Sequence, residues 1–111
     1  ERWMRQPLFA GTPPAAAAHW RADLLRNDPA ALAAALRGLG PGAMEPLWGR
    51  LGELDGVPAT ILAGERDARY AAIGRRLAAA LSGGRLLVVP GAGHGLPREA
   101  PQAVAAAIAT E

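Results

Sequence analysis

Asp67 and His94 are the residues whose types and placement could do acid–base chemistry. Asp67 ends the segment Leu62-Ala63-Gly64-Glu65-Arg66-Asp67, and His94 stands in Pro90-Gly91-Ala92-Gly93-His94-Gly95. A carboxylate that accepts a hydrogen bond from one imidazole nitrogen fixes the ring's tautomer. It also stabilises the imidazolium formed when the other nitrogen takes a proton. Such a pair needs a hydroxyl to serve. Ser82 is the only serine, it sits at the end of a helical segment, and the nucleophile-elbow pattern G-x-S-x-G is absent.

The elements that must position the pair lie in the second half of the chain. Ala59 to Ala63 is a short apolar run with β-branched residues, and it reads as a parallel-sheet strand buried on both faces. Tyr70, Ile73, Leu77 and Leu81 recur at helical spacing, and Ser82-Gly83-Gly84 stops that helix. Arg85 to Pro90 is a second apolar strand, and Pro101 opens a last helix with Val104 and Ile108 one turn apart. A strand–helix–strand unit predicts parallel strands joined by a right-handed crossover. Ligands of parallel sheets gather at the strands' carboxyl ends. Neighbouring strands would therefore deliver Asp67 and His94 to one edge.

The first half is helical in pattern and holds no convincing strand. Thr12 is an expected N-cap with Pro13 at the first helical position, and Trp20 and Leu24 share a face. Asp28 and Pro29 repeat the cap-and-proline pattern before a Leu32, Leu36, Leu39 stripe that Gly38 and Gly40 end. A third short helix is expected around Glu45 to Leu54, weakened by Gly49 and Gly52, about 1 kcal/mol each relative to Ala. Residues 1–56 thus read as a helical lid segment and 57–111 as a piece of an α/β core, divided near Gly56-Val57-Pro58.

Composition narrows the partners. The 111 residues are 50% hydrophobic, which suits a packed domain rather than a disordered one. The basic residues are all arginines, scattered among acids, and the net charge is only +2, so nucleic-acid binding is not indicated. Without cysteine there is no disulfide framework or thiol nucleophile, which is compatible with a cytoplasmic location. No apolar run approaches the roughly 20 residues needed to span a bilayer. No metal or cofactor is called for. The opening Glu1-Arg2-Trp3-Met4-Arg5 carries no initiator Met, and the true start is expected upstream.

The two loop motifs carry a family resemblance. Leu62 to Asp67 resembles the acid-bearing end of the penultimate strand of the α/β-hydrolases, and Pro90 to His94 resembles their histidine loop. Glu99-Ala100-Pro101 resembles the start of their closing helix. Acid before histidine agrees with that fold's chain order of serine, acid, histidine. The lid half is similar to one subfamily through Trp3-Met4-Arg5-Gln6-Pro7-Leu8-Phe9, Asn27-Asp28-Pro29, Leu36-Arg37-Gly38-Leu39-Gly40 and Pro46-Leu47-Trp48. This subfamily is the menaquinone-pathway synthases that form 2-succinyl-6-hydroxy-2,4-cyclohexadiene-1-carboxylate. They are carbon–oxygen lyases that eliminate pyruvate from a cyclohexene polycarboxylate, their triad serine abstracting a proton with the histidine's help.

The resemblance implies a C-terminal fragment of an α/β-hydrolase: a lid segment, then the last two parallel strands and their helices. Asp67 and His94 would be the triad acid and base. Trp3 would line the substrate pocket, and Arg21 would pair with a substrate carboxylate, with Arg26 the alternative on the same helix. The serine, the oxyanion hole and most of the sheet would lie upstream of Glu1, so the fragment alone should be inactive and its missing N-terminal core segment is an implied partner. Two departures bear on the substrate: Gly95-Leu96-Pro97-Arg98 where the family often carries a second histidine, and Arg69-Tyr70 where it often has Lys-Phe. Another lidded α/β-hydrolase, an esterase or carbon–carbon hydrolase, is the nearest rival. A non-catalytic helical interaction module, in which Asp67 and His94 never meet, is the rival from another class. His19, Glu65 and Arg66 read as surface or structural residues, and Trp48 as core.

Overall fold

The computed structural model describes residues 2–109. Two strands, β1 (Ala59–Gly64) and β2 (Gly84–Val89), pair in parallel, from Ala59 opposite Gly84 to Gly64 opposite Val89. Between them runs α3 (Ala68–Ala80), which packs on both strands. It follows two lid helices, α1 (Pro14–Leu25) and α2 (Pro29–Leu39). After β2 come a single turn, α4 (Leu96–Glu99), and the closing helix α5 (Pro101–Ala109). Short 3₁₀ turns occupy Trp3–Arg5, Pro7–Phe9, Pro41–Ala43 and Trp48–Leu54. No helix among the described residues is long and apolar enough to cross a membrane.

Packing is tightest where the strands end. Buried apolar residues are mostly small: Ala63, Ala71, Ala92 and Ala107, with Leu81 and Leu96. No large side chain among the described residues is fully enclosed. A Cβ on Gly74 of α3 would come to 2.9 Å from Leu86 Cδ1 and 3.3 Å from Ile61 Cγ2, so the helix lies close on the sheet at this point.

β1 departs from the expected double burial. Its first four residues are only half-buried, and only Ala63 and Gly64 are fully covered. The sheet has two strands among the described residues, and Leu87 and Val88 of β2 are each 40% exposed. An apolar parallel strand is covered on both faces in a complete α/β sheet; here α3 is the helix packed against it.

Helix α1 begins one residue later than expected. Pro14, not Pro13, opens α1, and Pro13 is extended at φ −59°, ψ 146°. The cause is local: a residue preceding proline is pushed out of the helical region, so Pro13 cannot start the helix before Pro14. Thr12 does not cap it, and its buried hydroxyl has no hydrogen-bond partner. Asp28 does cap α2, accepting from the Ala30 amide at 2.8 Å. The leucine stripe of α2 is exposed, Leu39 at 83%. The third lid helix is a 3₁₀ segment starting at Trp48, beyond Pro46, braced by a two-pronged Arg50–Glu53 pair. Trp48 is half-exposed under the Arg76 guanidinium, 4.8 Å from the ring centre, rather than in a core.

Candidate active site

Asp67 follows β1 through one tight turn and is the N-cap of α3. One of its oxygens, Oδ1, accepts from the Tyr70 amide at 3.1 Å. The other, Oδ2, lies 2.6 Å from Nδ1 of His94. A carboxylate can only accept there, so Nδ1–H donates and Nε2 is left as the acceptor nitrogen. Asp67 is buried, its side chain 4% exposed, while His94 keeps 29% of its side chain open. The acid is thus shielded and the imidazole accessible.

The two loops are joined by backbone as well. The Arg66 amide donates to the Ala92 carbonyl at 2.9 Å, and the Gly91 amide donates to the Glu65 carboxylate at 2.8 Å. A side chain on Gly64 would collide with the carbonyl oxygens of Ala92 and Gly93, so glycine at the tip of β1 is what lets the histidine loop come this close. Beyond His94, the Glu99 carboxylate accepts from the Gly93 and Gly95 amides at 2.6 and 3.0 Å.

Aromatic rings shape the space in front of the imidazole. Tyr70 lies against it with ring centres 4.7 Å apart, and Phe9 approaches edge-on at 6.1 Å. Phe9 in turn meets Trp20 edge-to-face at 5.1 Å and Trp3 at 6.1 Å. The rings of Trp3, Phe9 and Trp20 border a cavity of about 260 Å³ that also takes in Asp23, Asn27, Arg98 and His94 itself. Arg98 bonds Asp23 of α1, which Arg26 also bonds. The hydrogen bond from Arg98, with the positive charges of Arg98 and Arg26, holds the Asp23 carboxyl below the usual carboxylate range.

The four residues singled out from the sequence do not all converge. Asp67 and His94 meet, and Trp3 borders the same cavity as His94. Arg21 borders an adjoining cavity of about 410 Å³, which shares Trp3, Met4 and Leu24 with the first. Arg26 turns to Asp23. The residues the sequence reading missed are Tyr70, Phe9, Trp20, Arg98 and Glu99. Arg98 and Glu99 had a detectable signal in their position four and five residues past the histidine. Tyr70 had one in its place three residues after an N-capping Asp. Phe9 and Trp20 carried none, because their approach depends on how the lid folds back. No cluster of three or more potential metal ligands occurs among the described residues.

A parallel strand pair that delivers a buried acid and an open histidine from successive strand ends, beside a helical segment, is the arrangement of an α/β-hydrolase. The chain belongs to the alpha/beta hydrolase family, whose profile matches residues 1–107. It is 37% identical over 107 residues to the 2-succinyl-6-hydroxy-2,4-cyclohexadiene-1-carboxylate synthase of Klebsiella pneumoniae, covering 96% of this chain and 40% of that protein. A Bacillus subtilis relative that carries the same name provisionally is 38% identical over 82 residues, 74% of this chain and 30% of its own length. Among solved structures, MenH from S. aureus superposes with a TM-score of 0.88 at 30% identity, over 98% of this chain and 42% of that one. The chain therefore spans well under half the length of the relatives it matches.

Proposed function

We propose that this chain supplies the lid and the acid–base half of a Ser-Asp-His triad in a menaquinone-pathway synthase. In this reading Asp67 orients His94, and Nε2 of His94 takes the proton of a serine hydroxyl held by a separate core segment. The serine oxygen then removes a proton from a cyclohexene polycarboxylate. The electron pair left on carbon forms a new double bond, the neighbouring carbon–oxygen bond breaks, and the leaving enolate takes up the proton held on His94 to depart as pyruvate. The reaction makes the enzyme a carbon–oxygen lyase, and nothing in it calls for a metal or cofactor. The observation that carries the reading is the 2.6 Å contact between buried Asp67 and accessible His94. The names of the relatives support the substrate.

Trp3, at the junction of the two cavities, would lie against the substrate ring. Arg21, in the adjoining cavity, would take one of its carboxylates. A cytoplasmic location and the status of a fragment belong to the same proposal.

The test is pyruvate release from the polycarboxylate precursor, with the chain alone and with a core segment carrying a G-x-S-x-G elbow added. The chain alone should release none. The combination should turn over, and His94→Ala should abolish that turnover. Turnover by the chain alone, or full activity of the His94→Ala combination, would refute the proposal. Cleavage of simple esters in place of pyruvate release would select the rival lidded hydrolase, which the aromatic lining also suits.

A further inference from the structure

Glu99, the last residue of α4, is a charged residue beside the histidine loop with no part in the acid–base relay. Its two carboxylate oxygens take one amide each, from Gly93 and Gly95, the residues on either side of His94. The Gly93 amide belongs to the peptide plane entering Gly93, and the Gly95 amide to the plane leaving His94. Bridging the two planes with one rigid carboxylate restricts the φ and ψ of both Gly93 and His94. Without it, Gly93 would be the loosest point of the loop, since glycine reaches conformations closed to other residues.

A helix cap would explain only half of this. Gly95 is the N-cap of α4, and a glutamate in the first turn that reaches back to the N-cap amide is a capping arrangement. The bond to Gly93 reaches two residues further out and leaves α4 with no additional satisfied group. What it holds is the backbone entering His94. The site offers little slack: Glu99 is half-buried, and a Cβ on Gly93 would meet its Oε2 at 3.1 Å.

We propose that Glu99 is a positioning residue for His94: its carboxylate clamps the backbone on both sides of the histidine so that Nδ1 stays within reach of Asp67. The proposal rests on the reading of His94 as the base, and it locates the stiffness of that base in a side chain five residues downstream.

The test is proton NMR and amide exchange on the intact protein and on Glu99→Gln, which keeps one acceptor oxygen and replaces the other with a donor. The substitution should raise exchange at the Gly93 or Gly95 amide at least about tenfold, the effect of losing one charge-assisted hydrogen bond. It should also broaden the downfield imidazole proton shared with Asp67. The Ala100 amide, bonded to the Leu96 carbonyl inside α4 at 2.8 Å, should keep its protection. Loss of Ala100 protection in step with Gly93 would reduce Glu99 to a helix cap and overturn the proposal. An unchanged shared proton would overturn it too. If the unsubstituted protein shows no shared proton at all, the base reading fails, while Gly93 and Gly95 still report on the clamp. Should Glu99→Gln not fold, scalar couplings across the hydrogen bonds from the Gly93 and Gly95 amides to the Glu99 carboxylate decide on the unsubstituted protein. Their absence would overturn the proposal.

Discussion

Asp67 holds His94 with one carboxylate oxygen and the first turn of α3, through the Tyr70 amide, with the other. The residue that orients the imidazole is therefore fixed by a helix start, which needs no partner outside this chain. Capping sets the carboxylate's rotamer, and the rotamer aims Oδ2 at Nδ1.

The double role separates two substitutions. Asp67→Asn keeps a side chain that caps well, so α3 should lose only a few tenths of a kcal/mol. Its amide can satisfy the wrong histidine tautomer, and the loss of activity in the recombined enzyme should be about 10⁴-fold. Asp67→Ala should lose activity to a similar degree and also about 1 kcal/mol of stability, with the missing cap. Thermal unfolding and pyruvate release, measured on both variants in the recombined enzyme, check the pair. Equal stability of the two would show that the cap contributes nothing.

A second prediction concerns how the lid seats on the histidine loop. A Cβ on Gly95 would run into the six-membered ring of Trp20 on α1. Gly95→Ala should cost about 1–3 kcal/mol, the usual penalty for overpacking, and should disturb the Phe9–Trp20 contact. Trp20→Leu should remove most of that penalty, because the two positions share the contact. Melting temperatures of the two single variants and the double variant, each combined with a core segment that completes the sheet, give the coupling. An additive double variant would mean that the lid does not rest on Gly95.

Asp23 and Arg98, 75 residues apart, tie α1 to α4 beside the cavity. The Asp23 carboxyl is held below its ordinary value of 3.8, mainly by the hydrogen bond from Arg98. A carboxyl lowered in the folded state contributes in full above its unfolded value, and the contribution fades as pH falls through the folded one. The tie should therefore be intact above about pH 4 and weaken only below it. Side-chain NMR of Asp23 should show an acid limb under pH 3.8, and Arg98→Gln should move that limb back up. Because the pair is exposed, added salt should weaken the tie. A limb that does not respond to Arg98→Gln would remove the tie from the account of the lid.

How much of this was legible in the sequence depended on the range of the signal. Both strands, α3 and the closing helix were readable because apolar spacing and glycine punctuation act within a few residues. Asp67 and His94 could be placed at one sheet edge because parallel strands leave their loops on the same side. The lid was read less well. The start of α1 was misplaced although Pro13-Pro14 carried the correction, and Trp48–Leu54 formed a 3₁₀ segment that leucine spacing alone cannot distinguish from an α-helix. Arg98, Trp20 and Phe9 were not legible as a group, because their meeting depends on contacts between distant segments that no local pattern encodes. Glu99 falls in the Glu99-Ala100-Pro101 motif, but its pairing with Gly93 depends on how α4 turns back on the histidine loop.

Two parallel strands with Leu87 and Val88 each 40% exposed leave apolar surface and unpaired strand edges to solvent. An isolated pair of strands is marginal in water, and bare edges template pairing with another chain. On its own the chain should self-associate, unfold without a sharp transition, or both. Charge on the exposed surface should oppose association, so Val88→Lys should raise the monomer fraction. A core segment that completes the sheet should do the same and also restore a cooperative transition, since it would cover the surface that Val88→Lys only blunts. Sedimentation velocity and urea unfolding, with and without that segment, separate the two effects. A stable, cooperative monomer in the absence of any partner would mean that α3 and the lid cover these strands well enough alone.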